Sequence, residues 1–270
     1  MNVPDLAKRL DAFEARSDLL HATVQVRRYA ETGAAWLSVA DGYAVTCGRP
    51  SVINRACGLG MAGAVAPADL DALEVFFRER GVAGHVRVCP HADASLVRLL
   101  GERGYTLGEF MNVYARALVN LLGADEPVPD VEIRVATEQE ARQWFEAAGF
   151  TGDWAQPDGV TFMVIRTVFK PGTRLYLAWK DGQPVGGGAL EIHEGVAALI
   201  AAATLPAYRR LGIHSALMQA RLRAAAASGC DVVVAHTRPG ALSQGNVLRN
   251  GFELLYTTVE MRVPSAVTAR

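Results

Sequence analysis

One short segment constrains the fold of this 270-residue chain more than any other. An apolar run at residues 196–204 is followed by LPAYRRLGIHSA at 205–216, and an amphipathic stretch then continues to residue 227. Pro206 removes a backbone donor and so ends a strand, whereas the residues after Gly212 have the spacing of an amphipathic helix. The segment therefore predicts a strand, a turn and a helix in succession, which is a building unit of mixed α/β folds.

The start of the helix after this turn favours an anion. The first backbone N–H groups of a helix lack partners, and the helix dipole adds partial positive charge there, so a pyrophosphate fits such a site. Gly212 places no Cβ where backbone and phosphate must approach closely, and Arg209 and Arg210 add charge that can grip phosphate. A junction between strand and helix with two solvated arginines would fit the same residues, so that alternative stays open.

The surrounding segments complete a mixed α/β pattern in the second half of the chain. Apolar residues at helical spacing predict helices at 138–148, 158–170, 213–227 and 243–250. Short apolar runs predict strands at 131–135, 175–179, 184–192, 196–204, 231–235 and 252–263. The stretch 121–130 contains Gly123, Pro127 and Pro129 and is the predicted linker. We therefore expect one domain at 1–120 and a second at 131–270.

The first half of the chain repeats the end of this pattern. Both halves end with a strand, a helix, a glycine followed by an aromatic residue, and a strand. The glycine and aromatic are Gly104-Tyr105 in the first half and Gly251-Phe252 in the second. The order predicts two copies of one unit, with the first copy ending in a strand at 86–89, a helix at 94–102 and a strand that reaches residue 115.

Composition excludes several classes of function. The formal net charge is -1 and aromatic residues make up 7%, so we expect no binding to nucleic acid or to an anionic membrane. The longest apolar run, at 196–203, is far shorter than the ~20 residues that span a bilayer, and residues 1–18 lack a signal-peptide pattern. The four cysteines lack zinc-site spacing, so we expect reduced thiols, no metal and a cytoplasmic protein. Abundant alanine, arginine and glycine suggest a bacterial source.

The turn, the order of strands and helices, and Asn250-Gly251-Phe252 together resemble the GNAT superfamily of N-acetyltransferases over residues 131–263. Members of that family follow a strand with Pro, an aromatic residue and Arg/Gln-x-x-Gly-x-Gly/Ala, which opens a long helix. Arg209 and Gly212 match this pattern, whereas His214 occupies the place of the second small residue. The resemblance implies a tandem GNAT-like α/β (α+β) fold, with a mixed central sheet flanked by helices and a degenerate copy in the first half.

The resemblance also implies acetyl-CoA as co-substrate, without a metal. The end of the strand before the turn would pair with the pantetheine, and the amide of Leu205 or a neighbour would polarise the thioester carbonyl. The turn and the start of the helix would hold the pyrophosphate, and two residues of the next helix would add contacts. The implied cofactor-binding residues are Ala203, Thr204, Leu205, Arg209, Arg210, Leu211, Gly212, Ile213, His214, Ser215, Ala216, Ser243 and Asn246.

The catalytic groups depart from the family. Val247 stands where many members have a tyrosine acid, and Ala241 stands where they have an asparagine. We predict that His236, which ends an apolar strand and can titrate near neutral pH, is the general base. Tyr256 on the last strand is an alternative acid, although an aromatic residue in a strand also fits the core. Glu191, beside a strand turn, is a further candidate.

These observations predict an N-acetyltransferase. It would move an acetyl group to the primary amine of a small molecule or peptide by direct attack on the thioester, as a monomer or homodimer. The missing family groups keep an alternative open, which is a non-catalytic acyl-CoA-binding or sensor protein with the same fold.

A second glycine motif does not alter this prediction. The sequence GLGMAG at 58–63 matches the dinucleotide-binding pattern, which needs a helix at its third glycine and an acid about 20 residues later. The helix is expected near Pro67 instead, and no acid lies between Gly81 and Val88. We interpret the motif as a glycine-rich strand end. Because it lacks the Arg-x-x-Gly charges, we expect the first half to bind no coenzyme A.

Overall fold

The computed structural model describes residues 2–48, 51, 53–119, 130–153, 161, 164 and 168–263. Within these residues the helices with complete bounds are α1 (Val3–Arg28), α2 (Pro67–Glu79), α3 (Ala94–Glu102), α4 (Ala141–Ala147), α5 (Ile213–Ala227) and α6 (Leu242–Arg249). The strands are β1 (Ala35–Val39), β2 (Gly42–Thr46), β3 (Arg55–Cys57), β4 (His85–Val88), β5 (Thr106–Ala117), β6 (Glu132–Val135), β7 (Thr173–Lys180), β8 (Gln183–His193), β9 (Val196–Thr204), β10 (Val232–Thr237) and β11 (Glu253–Arg262).

The described residues divide into two compact units. Unit 1 is drawn from Met1–Asn112, Asp158–Arg166 and Leu255–Arg270, and unit 2 from Val113–Pro157 and Thr167–Leu254. The predicted linker at 121–130 lies outside the described residues except for Asp130. The limits predicted for the two domains stay a prediction.

Both units repeat one strand order. In unit 1, β3 pairs antiparallel with β2 and parallel with β4. In unit 2, β9 pairs antiparallel with β8 and parallel with β10. Each of these central strands leads into a helix, α2 after β3 and α5 after β9. The predicted α/β fold, with mixed sheets, flanking helices and two copies of one unit, is confirmed.

The last strands of the two halves are exchanged, which the sequence did not predict. The final strand, β11, belongs mostly to unit 1, where it pairs antiparallel with β4, and Val259 lies opposite Val88. The end of β5 belongs to unit 2, where it neighbours β10 in the sheet. There the N–H of Leu118 donates to the carbonyl of Asp231 at 2.9 Å. Each unit is thus completed by a strand from the other half of the chain.

Apolar faces at the expected spacing form the core of each unit. In unit 1, Leu70, Leu73 and Phe77 of α2 belong to one buried cluster with Leu96 and Leu100 of α3. In unit 2, the cluster contains side chains from α5, from the strands beneath it and from α6, including Ile213, Leu217, Leu222, Leu190, Val233 and Val247. Burial of each such side chain is worth about 1.5–3 kcal/mol, which makes this packing the main source of stability.

Several predicted limits match the structure. The strand at 196–204 and the helices at 94–102 and 213–227 have the predicted bounds. The helix predicted from residue 138 begins with a 3₁₀ turn at Glu138–Glu140, and α4 follows it. The helix predicted at 158–170 lies mostly outside the described residues. All four cysteines are buried and free, and no described helix has the length and apolar character needed to cross a bilayer.

A buried charge cluster lies in unit 1 between α1 and the strands β3 and β4. Glu14 accepts a hydrogen bond from Arg87 at 2.8 Å, and Asp18 accepts one from Arg55 at 2.7 Å. Asp11 is only 2% exposed, and its Oδ2 has no hydrogen-bond partner among the described residues. Burial raises the pKa of Asp11 to about 6, although the nearby Arg87 acts in the opposite direction.

This shift predicts that Asp11→Asn stabilises the protein more in mild alkali than in mild acid. The carboxyl has an ordinary pKa of 3.8, and its folded value is near 6. Because the folded value is higher, the stability that protonation contributes is complete below about pH 4 and is lost as pH rises through about 6. At about pH 8 this loss lowers the free energy of unfolding by about 3 kcal/mol. Asparagine carries no charge at any pH, so the Asp11→Asn variant does not suffer this loss.

Melting temperatures at about pH 5 and about pH 8 measure this difference. The exposed carboxylate of Glu253 provides the control variant, Glu253→Gln, for which we expect no such pH-dependent gain. An equal change in melting temperature at both pH values for Asp11→Asn would contradict the assignment.

Candidate functional site

The site begins at a bulge in β9. Gly187 of β8 pairs with Ala203, and Ala189 pairs with Ile200. Two residues of β9, at 201 and 202, therefore lie opposite the single residue 188 of β8. Ala201 in this bulge has a φ of 48°, a left-handed conformation that a residue with a Cβ rarely adopts. Bulges of this kind bend a strand and redirect its backbone groups.

Beyond the bulge, β9 separates from β10. The parallel register joins residues 196–199 to residues 232–235, although the two strands continue to Thr204 and Thr237. Among the described residues, β10 therefore does not pair with residues 200–204, and this edge of β9 lacks a strand partner there. Such an edge offers backbone N–H and C=O groups to an extended ligand.

The turn after β9 places a helix start beside this gap. Pro206–Tyr208 form one 3₁₀ turn, and Arg210 and Gly212 then both adopt left-handed conformations, with φ of 66° and 79°. Gly212 is the N-cap of α5, and no side chain caps the helix. The first amides of α5 are therefore left for water or for a ligand, as the sequence predicted. A left-handed arginine costs on the order of 1 kcal/mol, the kind of strain that is common at functional sites.

These elements enclose a pocket of about 450 Å³ in unit 2. Most of the cofactor-binding residues predicted from the sequence line it, namely Ala203, Thr204, Arg209, Arg210, Gly212, Ile213, His214, Ser215, Ser243 and Asn246. Three further lining residues were not predicted, namely Ala202, Tyr208 and Arg249. Arg249 follows Asn246 by three residues on α6, so helical spacing from a predicted residue could have identified it.

Three predicted residues are not among those that line the pocket. The N–H of Leu205 donates to the carbonyl of Val185 at 2.9 Å, so this amide is already engaged and is not free to polarise a thioester. The side chain of Leu211 is exposed. The N–H of Ala216 donates to the carbonyl of Gly212 at 3.0 Å in the first turn of α5.

The pocket is positively charged. Arg209, Arg210 and Arg249 line it, and among the described residues of its lining there is no carboxylate. The Nε of Arg209 donates to the carbonyl of Thr204 at 3.4 Å, which holds the side chain beside the end of β9. Arginine binds phosphate through several donors at once, so this arrangement suits a pyrophosphate better than a neutral ligand.

His214, the departure from the family pattern, also lines the pocket. Burial, and then the charges of Arg221 and Arg249, lower the pKa of this imidazole below its ordinary value. His214 is therefore neutral at neutral pH in the ligand-free protein, and it leaves the positive charge of the pocket to the arginines.

Glu191 is tied into a buried network instead of facing the pocket. Its side chain accepts a hydrogen bond from Lys170 at 2.6 Å, and its other oxygen lies 2.8 Å from Nε2 of His193. Glu191 is 1% exposed. Burial alone would raise the pKa of Glu191, but Lys170 and His193 lower it below its ordinary value. Both oxygens are engaged in this way, which favours a structural role.

The other two catalytic candidates belong to different units. Tyr256 belongs to unit 1, where its ring lies edge-on to that of His91 with centroids 5.6 Å apart, and burial raises its pKa. His236 lies in unit 2, one residue beyond Ala235, the last β10 residue in register with β9. Neither side chain is among those that line the pocket, and the catalytic roles of both stay predictions. The described residues contain no cluster suited to a metal ion.

Comparison with known proteins supports the same assignment of fold. Residues 135–252 match the model of the acetyltransferase (GNAT) family. No curated protein matches the sequence. A GCN5-related N-acetyltransferase from Kribbella flavida has 20% identity and a TM-score of 0.66, over 94% of this chain and 96% of that one. At this identity the likeness establishes the fold.

Two more solved structures share the fold at lower identity. A tandem GNAT protein from the clavulanic acid biosynthesis pathway is 13% identical, with a TM-score of 0.55 over 72% of this chain and 68% of that one. A Drosophila protein is also 13% identical, with a TM-score of 0.54 over 98% of this chain and 97% of that one.

Proposed function

We propose that this chain, whose residues 135–252 match the model of the acetyltransferase (GNAT) family, is an acetyl-CoA-dependent N-acetyltransferase. It would transfer the acetyl group to the primary amine of a small-molecule or peptide acceptor. The pocket of unit 2 carries this proposal. It combines a strand edge without a partner, an uncapped helix start and three arginines around about 450 Å³, which is the size of an ordinary cofactor site.

The parts of the pocket match the parts of the ligand. The start of α5, with Arg209 and Arg210, would hold the pyrophosphate through backbone amides and charge. The free edge at residues 200–204 would pair with the pantetheine amides and direct the thioester toward the bulge. Because Leu205 is engaged with Val185, we assign the polarisation of the thioester carbonyl to an amide within the bulge region instead.

The reaction would proceed without a covalent intermediate on the enzyme. The neutral amine attacks the thioester carbonyl, a C–N bond forms, and the C–S bond breaks with its electron pair left on sulfur. The amine proton passes to a base, for which His236 at the β10 side of the gap is our candidate. The thiolate of coenzyme A then takes a proton from solvent.

Release of free thiol tests this proposal. Purified protein with acetyl-CoA is exposed to a panel of amines that includes amino acids, polyamines, aminoglycosides and peptide N-termini. We expect thiol release that requires both an amine and the protein, together with a product heavier by one acetyl group. Thiol release without an acetylated product, or no release with any amine, would count against an N-acetyltransferase.

One observation favours a second candidate, a non-catalytic acyl-CoA-binding or sensor protein. Val247 replaces the acid that many family members have, and among the described residues that line the pocket His214 is the one imidazole. Its lowered pKa makes it a poor acid at neutral pH. Tight binding of acetyl-CoA without turnover on the amine panel would select this candidate.

A further inference from the structure

Arg221 is a buried cation on α5 in unit 2. It is 1% exposed, and burial lowers its pKa to about 10, so it keeps its charge at neutral pH. Within the described part of the chain, no carboxylate forms a salt bridge with it, and its Nη2 has no hydrogen-bond partner. A buried guanidinium without a counter-charge is costly, and an apolar side chain of similar volume would stabilise the fold better.

The other nitrogens of Arg221 hold the bulge of β9. Nη1 donates to the carbonyl of Ala189 at 3.1 Å and to that of Ile200 at 3.4 Å, the two residues that pair on one side of the bulge. Nε donates to the carbonyl of Leu217 at 3.0 Å, which anchors the side chain to its own helix. The guanidinium thus connects α5 to both strands at the point where β9 turns toward the gap.

Gly188, the residue of β8 opposite the bulge, leaves space for the guanidinium of Arg221. A Cβ on Gly188 would lie 2.8 Å from Cζ of Arg221, so glycine is needed to make room for the guanidinium. The carbonyl of Gly188 accepts a hydrogen bond from Nε1 of the fully buried Trp144 at 3.1 Å. The bulge is therefore fixed by side chains from two helices, α4 and α5.

The charge of Arg221 also acts at the pocket. It is one of the causes that lower the pKa of His214, which lines the pocket in the first turn of α5. Arg221 thus has an effect on the lining of the pocket as well as on the bulge.

We propose that Arg221 is a positioning residue that fixes the bulge of β9 for the thioester. This inference rests on the proposed function. The amine nitrogen forms a bond to the carbonyl carbon, the C–S bond breaks, and the electron pair stays on sulfur, which then takes a proton from solvent. Arg221 would act on this step through the bulge, whose backbone sets the position of the thioester carbonyl.

Two variants of Arg221 separate its charge from its shape. Arg221→Met removes the charge and all the hydrogen bonds of the guanidinium. Arg221→Lys keeps the charge but loses the planar group that donates from several nitrogens. The matched control is Arg223→Met, an exposed arginine on the same helix. For each protein we would measure kcat on the best amine, the Kd of coenzyme A, and hydrogen exchange of the amides at 200–204 without ligand.

For Arg221→Met we expect kcat to fall at least about tenfold and the amides at 200–204 to exchange faster. The Kd of coenzyme A should change by less than about threefold, because the pyrophosphate end of the pocket is intact. Arg221→Lys should recover part of kcat, and Arg223→Met should match the wild type in every measurement.

Unchanged kcat and exchange in Arg221→Met would overturn the proposal. So would faster exchange throughout unit 2 with a parallel loss of coenzyme A binding, because that pattern indicates a structural role alone. If the wild type turns over no amine, the proposed function fails. The amide exchange at 200–204 then still decides whether Arg221 fixes the bulge.

Discussion

Gly212→Glu should raise the Kd of acetyl-CoA at least about 100-fold, a loss of about 3 kcal/mol in binding free energy. Gly212 lines the pocket as the N-cap of α5, with a φ of 79°. A side chain at this left-handed position strains the turn, and a carboxylate would occupy the place that we assign to the pyrophosphate. Repulsion between the two anions, in a pocket whose charged lining residues are arginines, accounts for most of the expected loss.

Gly229→Glu is the matched control for this variant. Gly229 follows the other end of the same helix, has a φ of 78°, and a Cβ added there would meet nothing within 4 Å. The Gly229→Glu variant therefore imposes the same backbone strain and the same change of charge, but away from the pocket. Calorimetric titration should show near wild-type affinity for Gly229→Glu. Equal losses in the two variants would mean that Gly212 does not contact the ligand.

Lys170→Met should lower the free energy of unfolding by about 3–5 kcal/mol. Lys170 is 3% exposed and donates to Glu191, which is 1% exposed. Removal of the ammonium leaves a buried carboxylate without its nearest cation, and His193 compensates only in part. The pKa of Glu191 should rise in this variant, because the charge that offsets its burial is lost.

The control for this prediction is a surface ion pair. Arg142 and Glu146 lie 3.1 Å apart one turn along α4, with side chains that are 72% and 61% exposed. Arg142→Met should change the free energy of unfolding, measured in urea, by no more than about 0.5 kcal/mol.

A different result for Glu191→Gln would contradict the structural role that we assign to Glu191. If this variant retained full stability but lost kcat, Glu191 would be the catalytic base.

The parts of the site that are local in sequence were predictable. The strand β9, the turn and α5 follow one another, and their apolar periodicity together with Pro206 and Gly212 sets their limits. A pyrophosphate site at a helix start depends on that local geometry alone. Most residues predicted for it therefore do line one pocket.

The remaining features depend on contacts between distant segments, which periodicity does not record. Tyr256 lies on β11, and the alternation of side chains along that strand fits pairing in either unit equally. Glu191 is a candidate base in the sequence because it lies beside a strand turn. Its partner Lys170 lies 21 residues away, so the sequence does not reveal that the carboxylate is paired. Arg221 looks like an ordinary helix residue until the bulge of β9 is known.

Calorimetric titration of the wild-type chain with acetyl-CoA measures whether unit 2 binds this ligand. We predict one site per chain, because among the described residues the arginine-lined turn belongs to unit 2. We also predict weaker affinity as salt screens Arg209, Arg210 and Arg249. Two equivalent sites would contradict the assignment of binding to unit 2. If no binding is seen at millimolar acetyl-CoA, the proposed acetyl-CoA site in unit 2 is wrong.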